Sequence, residues 1–168
     1  KLSYISVTDN SNASSGWIQA GSWTVPNNNI APTVTSLTPG SGTGMSQTFV
    51  PGVSDGNGFT DIATVYFLIN GSLSTANGCY VQYTRATNTF ALFRDSDGAW
   101  LTAPASNTNC SLSTTGLYAT GSGNGLTLSL PLSFTTSFTG GRSSYISVVD
   151  SANASSGWIR AGTWNVSP

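Results

Sequence analysis

The stretch YISVVDSANASSGWIRAGTWNV, residues 145–166, decides the fold of this chain because it occurs twice. Residues 4–25 read YISVTDNSNASSGWIQAGSWTV, so 16 of 22 positions are identical at a constant offset of 141 residues. Each copy holds two strand-like segments, separated by a run of Asp, Asn, Ser and Gly that is typical of turns. Each copy is therefore predicted to form a β-hairpin with a long loop.

The spacing of the two copies defines the size of the repeated unit. One complete unit is predicted over 27–168, and residues 1–26 are predicted to be the terminal hairpin of a preceding repeat, or docked or exchanged strands. The linker is Asn27-Asn28-Asn29 followed by Ala31-Pro32, which is polar and then stiff. A unit of about 140 residues has the size of a whole domain and exceeds the ~20–50 residues of a solenoid repeat. The parent protein is therefore expected to be a tandem array of domains.

The rest of the chain alternates short apolar segments with Gly, Pro and Asn. In Leu126-Thr127-Leu128-Ser129-Leu130 the leucines share one face and the hydroxyl groups the other. Asp95-Ser96-Asp97-Gly98 indicates a hairpin turn, because Asp-Gly tolerates positive φ. No helical periodicity with caps interrupts this pattern, which predicts an all-β antiparallel β-sandwich with an additional N-terminal hairpin. The predicted strands are 33–38, 45–50, 62–69, 78–84, 89–94, 98–102, 116–120, 125–135, 143–149 and 157–166.

The composition limits the class of function. Only 7% of the residues are charged, the net charge is −1, and the chain has neither Glu nor His. This balance gives no electrostatic footprint for nucleic acid or an anionic membrane, and no apolar run has the ~20 residues of a membrane-spanning helix. Eighteen aromatic residues (7 Phe, 6 Tyr and 5 Trp) argue against a disordered chain. Few charges with many Ser, Thr, Gly and Asn are typical of extracellular or cell-surface β-proteins.

Two cysteines, Cys79 and Cys110, permit one intrachain disulfide. In an oxidising compartment it would close a loop of about 30 residues and stabilise the fold by roughly 3–4 kcal/mol. Two buried free thiols are the alternative. A metal site on these thiols is disfavoured because the chain offers no His to complete it.

Several motifs together resemble the Ig-like repeat domains of large bacterial extracellular proteins. The resemblance covers 31–168, with a partial copy over 1–26, and its most specific parts are the paired cysteines and the terminal SSGW-x-x-x-G-x-W hairpin. It implies Ig-like sandwiches strung in tandem, as in surface fibres and adhesins. The cysteines lie only 31 positions apart, so the bridge of true immunoglobulins around a central Trp is not implied. The other matching motifs are GSGTGMSQTFVPGVSDGNGF, VYFLIN, GCYVQYTRATNTFALF and SGNGLTLSLPLSF.

The side-chain inventory disfavours an enzyme. Without His, Glu or an internal Lys, a nucleophile–base pair of the Ser–His or Cys–His type has no base. Glycoside hydrolysis needs two placed carboxylates, and most of the six Asp lie beside Gly, Asn or Ser in predicted turns. The chain is predicted not to be an enzyme.

Calcium is the one metal that the sequence suggests. Asp55, Asn57 and Asp61 place several oxygen ligands in one loop, and Asp95 with Asp97 forms a second candidate. Neither loop matches the twelve-residue EF-hand pattern, and plain turn chemistry is the favoured alternative. No cofactor is therefore expected, with Ca²⁺ as the single candidate.

Tryptophans provide candidate contacts with glycans. Trp100 follows the predicted Asp-Gly turn and is the best candidate for a lectin-like contact. Trp17 and Trp23, with their equivalents Trp158 and Trp164, are six positions apart. A regular strand would place both on one face, and a bulge at Ala-Gly would break that register. The alternative is that this face packs in the core or at an interdomain joint.

The leading hairpin is a candidate interface. A two-stranded hairpin alone in water is marginally stable, so residues 1–26 are expected to dock, either on their own domain or on an edge strand of another copy. The second arrangement is a head-to-tail contact, which makes an open filament when the rotation does not close. The candidate interface residues are Tyr4, Ile5, Trp17, Ile18, Trp23 and Val25.

These observations predict a non-enzymatic extracellular structural repeat module of a surface fibre, filament or adhesin stalk. Its partners are other copies or neighbouring repeats, head to tail, without nucleic acid or membrane insertion. The alternative is a carbohydrate-binding module of a secreted protein, with glycans as partners. Asn-x-Ser sequons, which are candidate N-glycosylation sites, occur at Asn12, Asn70, Asn109, Asn153 and Asn165.

Overall fold

The alternating segments of the sequence form fifteen strands in the computed structural model, which describes residues 1–24 and 28–168. Two short 3-10 turns, Phe59–Asp61 and Thr136–Phe138, are the helical elements within the described part, and no helix there could cross a bilayer. The strands are β1 (Leu2–Ile5), β2 (Ile18–Ser22), β3 (Thr33–Thr38), β4 (Ser41–Thr43), β5 (Ser46–Ser54), β6 (Ile62–Asn70), β7 (Cys79–Thr84), β8 (Thr89–Arg94), β9 (Ala99–Thr102), β10 (Ala105–Ser106), β11 (Cys110–Leu112), β12 (Tyr118–Ser122), β13 (Gly125–Phe134), β14 (Gly140–Asp150) and β15 (Ile159–Val166).

Two sheets pack face to face, and the leading hairpin β1–β2 forms a sheet of its own. The large sheet has the order β4-β15-β14-β6-β7-β8-β9, and the small sheet has the order β10-β11-β13-β5-β3, with β12 paired to the first half of β13. Neighbouring strands are antiparallel, except that the short β4 runs parallel to β15. The predicted all-β sandwich with an N-terminal hairpin is confirmed at this level.

The core lies between the two sheets and is built from the alternating faces that the sequence predicts. Leu126, Leu128 and Leu130 are buried on β13, and Thr127 is exposed. Ser129 departs from this alternation, because its buried hydroxyl donates to the Gly116 carbonyl oxygen at 2.7 Å. The loop before β12 therefore provides the hydrogen-bond acceptor for this buried hydroxyl.

An aromatic group anchors the core where the two sheets meet. The ring of Phe49 lies 5.4 Å from that of Phe67 and 5.3 Å from that of Trp164, the latter edge to face. The Trp164 indole also donates to the Gly44 carbonyl oxygen at 2.9 Å. Gly42 makes room for this ring, because a Cβ at that position would lie 2.2 Å from it.

The predicted hairpin at the Asp-Gly turn is confirmed, with Arg94 paired to Ala99 and Gly98 at φ 68°. Strands β4, β10 and β11 were not predicted. They have three, two and three residues, which is too short for an alternating pattern to be recognised.

A disulfide joins the two sheets. Cys79 begins β7 of the large sheet and Cys110 begins β11 of the small sheet, with 5.7 Å between their Cα atoms. Both residues are buried in the core cluster. The bridged state is therefore the one found, and not the alternative of two free thiols.

The two copies of the repeated stretch fold into the same hairpin. Ser3 pairs with Gly21 and Tyr4 with Gln19, and the equivalent pairs in the second copy are Ser144–Gly162 and Tyr145–Arg160. In both copies the register shifts at this point, by one residue on the second strand. The sequence did not decide whether a bulge interrupts the second strand. The structure shows that one is present at the Ala-Gly step.

Candidate functional site

Three apolar side chains of the repeated stretch are exposed in the first hairpin, whereas their equivalents in the second hairpin are buried. In the second hairpin β14 pairs with β6 and β15 pairs with β4, whereas within residues 1–24 and 28–168 β1 and β2 pair only with each other. The exposed fractions are 54% and 0% for Ile5 and Ile146, 61% and 0% for Val7 and Val148, and 62% and 4% for Trp23 and Trp164.

The leading hairpin thus carries an uncovered core-type surface. Of the predicted interface residues, Tyr4, Ile5, Trp17, Ile18 and Trp23 are all exposed, and Val25 lies outside the described residues. Val7, which was not among the predicted residues, belongs to this surface as well. Val7 occupies the same position of the repeat as the buried Val148, and this equivalence could have identified it as an interface residue. We call Ile5, Val7 and Trp23 the hairpin face.

In the single chain the hairpin face is exposed, and docking of residues 1–26 on their own domain or on another copy stays a prediction. Local hydrogen bonds order the hairpin. The Asp9 carboxylate accepts from the backbone N–H groups of Ser11 and Ala13 at 2.8 and 2.9 Å. The Asp150 carboxylate makes the equivalent two bonds at 2.9 and 2.8 Å. The loop conformation is therefore a local property of the repeated sequence.

The unit has its two ends at opposite poles. Asn29 donates from its side-chain amide to Asp150 at 2.7 Å, at one end of β14. Val166, near the end of the unit, pairs with Gly140 at the other end of β14. The ten residue steps from Gly140 to Asp150 span about 33 Å. We call the end with Asn29 the linker pole and the end with Val166 the far pole.

A layer of aromatic rings covers the outer face of the large sheet. Adjacent strands contribute one outward residue each, and Trp158 lies over them from the loop before β15. The Tyr80 ring is 4.8 Å from that of Trp100 and 5.9 Å from that of Trp158. The aromatic layer comprises Tyr66, Tyr80, Phe93, Trp100 and Trp158.

The bulge explains why the two tryptophans of a hairpin have different surroundings. Trp164 points into the core, whereas Trp158 lies in the aromatic layer on the other face. In a regular strand a spacing of six residues would place both tryptophans on one face. The extra residue at the bulge of β15 places them on opposite faces.

Packing in the aromatic layer perturbs one of its tyrosines. Burial raises the pKa of Tyr80 to about 12, and the neighbouring Tyr66 contributes in the same direction. The rise shows that the Tyr80 hydroxyl is partly withdrawn from solvent by the packed rings. Trp100 is the member with the largest exposed surface, at 37%, and lines an open groove of about 760 Å³ beside Arg94, Thr102 and Pro104.

Of the other members, Trp158 was considered in the sequence as a possible glycan contact, whereas Tyr66, Tyr80 and Phe93 were missed. Tyr80 alternates with the buried Cys79 and Val81, which was a usable signal that it faces outward. That Tyr66 and Phe93 come together with it depends on the strand order, which the local pattern does not contain.

The predicted calcium loop is rearranged. Asp55 and Asp61 come together, and Asp150 from β14 joins them as a third carboxylate. The Asn57 side chain instead fastens the linker, since it accepts from the Ile30 N–H at 2.7 Å and donates to the Asn28 carbonyl oxygen at 3.1 Å.

The second predicted metal loop contains an ion pair. Arg94 donates to Asp97, and this bond holds the pKa of the Asp97 carboxyl below its usual range. Asp95 has one buried carboxylate oxygen without a partner among the described residues. Asp95 and Asp97 do not form a cluster of three candidate ligands in the described part of the chain.

The five sequons differ in accessibility. Asn12 and Asn153 occupy equivalent exposed loop positions with positive φ, and Asn165 is exposed on β15. Asn109 is buried, and the Asn70 amide donates to the carbonyl oxygens of two loop residues at 2.8 and 3.1 Å. Glycosylation stays a prediction, and the exposed sequons are the ones open to it.

The chain matches no protein-family model, and a search of curated proteins finds no significant relative. Interpretation of the site therefore depends on its geometry.

Proposed function

We propose that this chain is a non-enzymatic structural repeat module of an extracellular fibre, filament or adhesin stalk. In this proposal its sandwich is Ig-like, and its units join end to end, linker pole to far pole. The observation that carries the proposal is the hairpin face, which is exposed in the first hairpin and buried in the second. The inter-sheet disulfide supports an oxidising, extracellular setting.

The occupant of the hairpin face is a neighbouring sandwich that lacks its own final hairpin. Such a sandwich offers β6 and β4 as open edges, as the second hairpin demonstrates. We call the place that β14 and β15 occupy in a complete sandwich the slot. An open strand edge beside such an apolar slot is a template for strand addition. Because the two hairpins share their register and their core residues, one can replace the other.

The length of the linker supports the proposal that this neighbour is another unit. The four residue steps from Val25 to Asn29 reach at most about 14 Å. The slot for Val25 in the chain's own sandwich lies at the far pole, about 33 Å from the linker pole. The hairpin therefore reaches a second unit, and successive units extend along one direction.

The test is a chain shortened to residues 1–139, which has one donor hairpin and one vacant slot. We expect it to form linear head-to-tail polymers, because each hairpin completes the next sandwich and the contact does not close on itself. Light scattering after size-exclusion chromatography gives the masses, and negative-stain microscopy gives the shape. The chain of residues 1–168, whose slot is filled, is expected to remain a monomer.

Two matched variants of the shortened chain separate specific assembly from aggregation. Ile5→Asp places a charge in the hairpin face and should abolish the polymers, because an unpaired charge would be buried in the slot. Tyr118→Asp changes an exposed residue on β12 of the small sheet and should leave the polymers unchanged. Polymers that persist in Ile5→Asp, or a shortened chain that stays monomeric, would contradict the proposal.

The aromatic layer favours a second candidate function, carbohydrate binding. Trp100 lies between the layer and the open groove, with its ring 5.2 Å from that of Phe93. A rigid and partly exposed indole is a surface on which the apolar face of a sugar ring can stack.

A glycan array tests this candidate with one matched pair of variants. If the groove binds sugars, Trp100→Ala should lower the affinity for a bound glycan at least tenfold, and Tyr118→Ala, which removes an exposed ring from the small sheet, should have no effect. An array without any bound glycan, or equal binding by both variants, counts against carbohydrate binding.

A further inference from the structure

Three carboxylates converge at the linker pole. Asp55 follows β5, Asp61 ends a 3-10 turn and Asp150 ends β14. One carboxylate oxygen of each residue lies within 4.8 Å of those of the other two. The strand order brings them together although they lie up to 95 positions apart (150 minus 55).

One of these carboxylates is buried with an unused oxygen. Asp55 is 0% exposed, and its Oδ1 accepts from the Asn57 N–H at 2.7 Å. Its Oδ2 is buried and has no hydrogen-bond partner among the described residues. A buried carboxylate oxygen without a partner is costly and needs a cation or a proton donor.

No side-chain cation neutralises the cluster. Within the described ranges, the one ion pair is Arg94–Asp97, which involves none of the three carboxylates. Arg85 follows β7 and lies beside the start of β6, but its guanidinium donates to the Ile62 carbonyl oxygen and makes no ion pair with Asp61. The three negative charges therefore lack a counter-charge from the described part of the chain.

The donor set matches calcium. Two oxygens on opposite sides of a Ca²⁺ ion are about 4.6–5.2 Å apart, since each Ca–O distance is about 2.3–2.6 Å. The spacing of the three oxygens allows all of them to contact one such ion. Every ligand atom is a hard oxygen, which favours Ca²⁺ over the metals that prefer nitrogen and sulfur. An open cleft of about 370 Å³ is lined by Asp61 and Ser151, so the cluster is next to solvent on the side of Asp61.

We propose that Asp55, Asp61 and Asp150 bind one Ca²⁺ ion, which fastens the linker to the unit. Asn29 already contacts Asp150, and the neighbouring Asn28 is held by Asn57. Binding of the ion removes the repulsion among the carboxylates at the point where the linker enters the sandwich. The consequence for a stiff joint between units rests on the proposed array, whereas the binding of calcium does not.

Calcium binding is tested by isothermal titration of the full chain after treatment with EDTA and desalting. We expect one Ca²⁺ per chain and a higher melting temperature in calcium than in EDTA, because the ion binds the folded state. Asp61→Asn removes one ligand charge at a partly buried position and keeps the side-chain shape, and it should weaken binding at least tenfold. The melting temperature of this variant in EDTA shows that it folds.

The repeat supplies a matched control. Asp150→Asn should lose calcium binding, whereas Asp9→Asn changes the same turn in the leading hairpin, away from the cluster, and should bind as the unchanged chain does. Absence of binding at 10 mM Ca²⁺, equal binding of Mg²⁺, or full binding by Asp61→Asn would overturn the site. Polymers of the 1–139 chain are scored by mass, so the array and the calcium site can fail independently.

Discussion

Trp164→Ala is expected to lower the free energy of unfolding by about 3–5 kcal/mol, the range for removing a buried large aromatic side chain. The equivalent change in the leading hairpin, Trp23→Ala, is expected to change it by less than about 0.5 kcal/mol, as for an exposed residue. Trp164 is 4% exposed and Trp23 is 62% exposed in hairpins of the same register. The difference between the two changes in free energy of unfolding therefore measures how much stability the tryptophan gains when its hairpin packs in the sandwich.

The large effect at Trp164 has three physical sources. Its ring fills the space beside Phe49, its N–H satisfies the Gly44 carbonyl oxygen, and Gly42 closes over it without a side chain. Removal of the indole leaves a cavity and an unpaired carbonyl. Urea unfolding followed by far-ultraviolet circular dichroism measures both variants. Equal effects of the two substitutions would show that the leading hairpin is already packed in the monomer.

Removal of the disulfide by Cys79→Ala with Cys110→Ala is expected to cost about 3–4 kcal/mol, because the bridge closes a loop over 31 positions in the unfolded chain. For a chain of this size, such a loss lowers the melting temperature by about 10 °C. The bridge also ties β7 of one sheet to β11 of the other, so its removal leaves two buried alanines and a small void.

Calorimetry with and without reductant provides the control for the disulfide variant. Reductant should lower the melting temperature of the unchanged chain towards that of the double variant, and it should not affect the double variant. A double variant that melts at the temperature of the unchanged, oxidised chain would contradict the stabilising role of the bridge.

Much of the fold could be predicted because the alternation of apolar and polar residues along a strand indicates which of its faces is buried. The two copies of the hairpin, the buried leucines of β13 and the Asp-Gly turn before β9 follow from residue types and alternation alone. The short strands β4 and β10 could not be predicted, since their two or three residues carry no periodic signal and form by pairing with strands already in place.

Some residues of the candidate sites could also be predicted from the local sequence, whereas others depend on the strand order. Asp55 and Asp61 were predicted as ligands because they share one loop, whereas Asp150 reaches them through the pairing of β14 with β6. Trp100 was predicted to be partly exposed because it follows a turn, whereas its contacts with Tyr80 and Phe93 depend on the order of neighbouring strands.

The sequence by itself determined that the chain contains one hairpin twice. The two copies share their register, bulge and Asp-capped loop because these features depend on hydrogen bonds within a few residues. Only the tertiary structure decided that one copy is part of a core and the other presents the same side chains to solvent. The physical reason is that burial requires partner strands distant in the sequence, and β6 and β4 accompany only the second copy among the described residues.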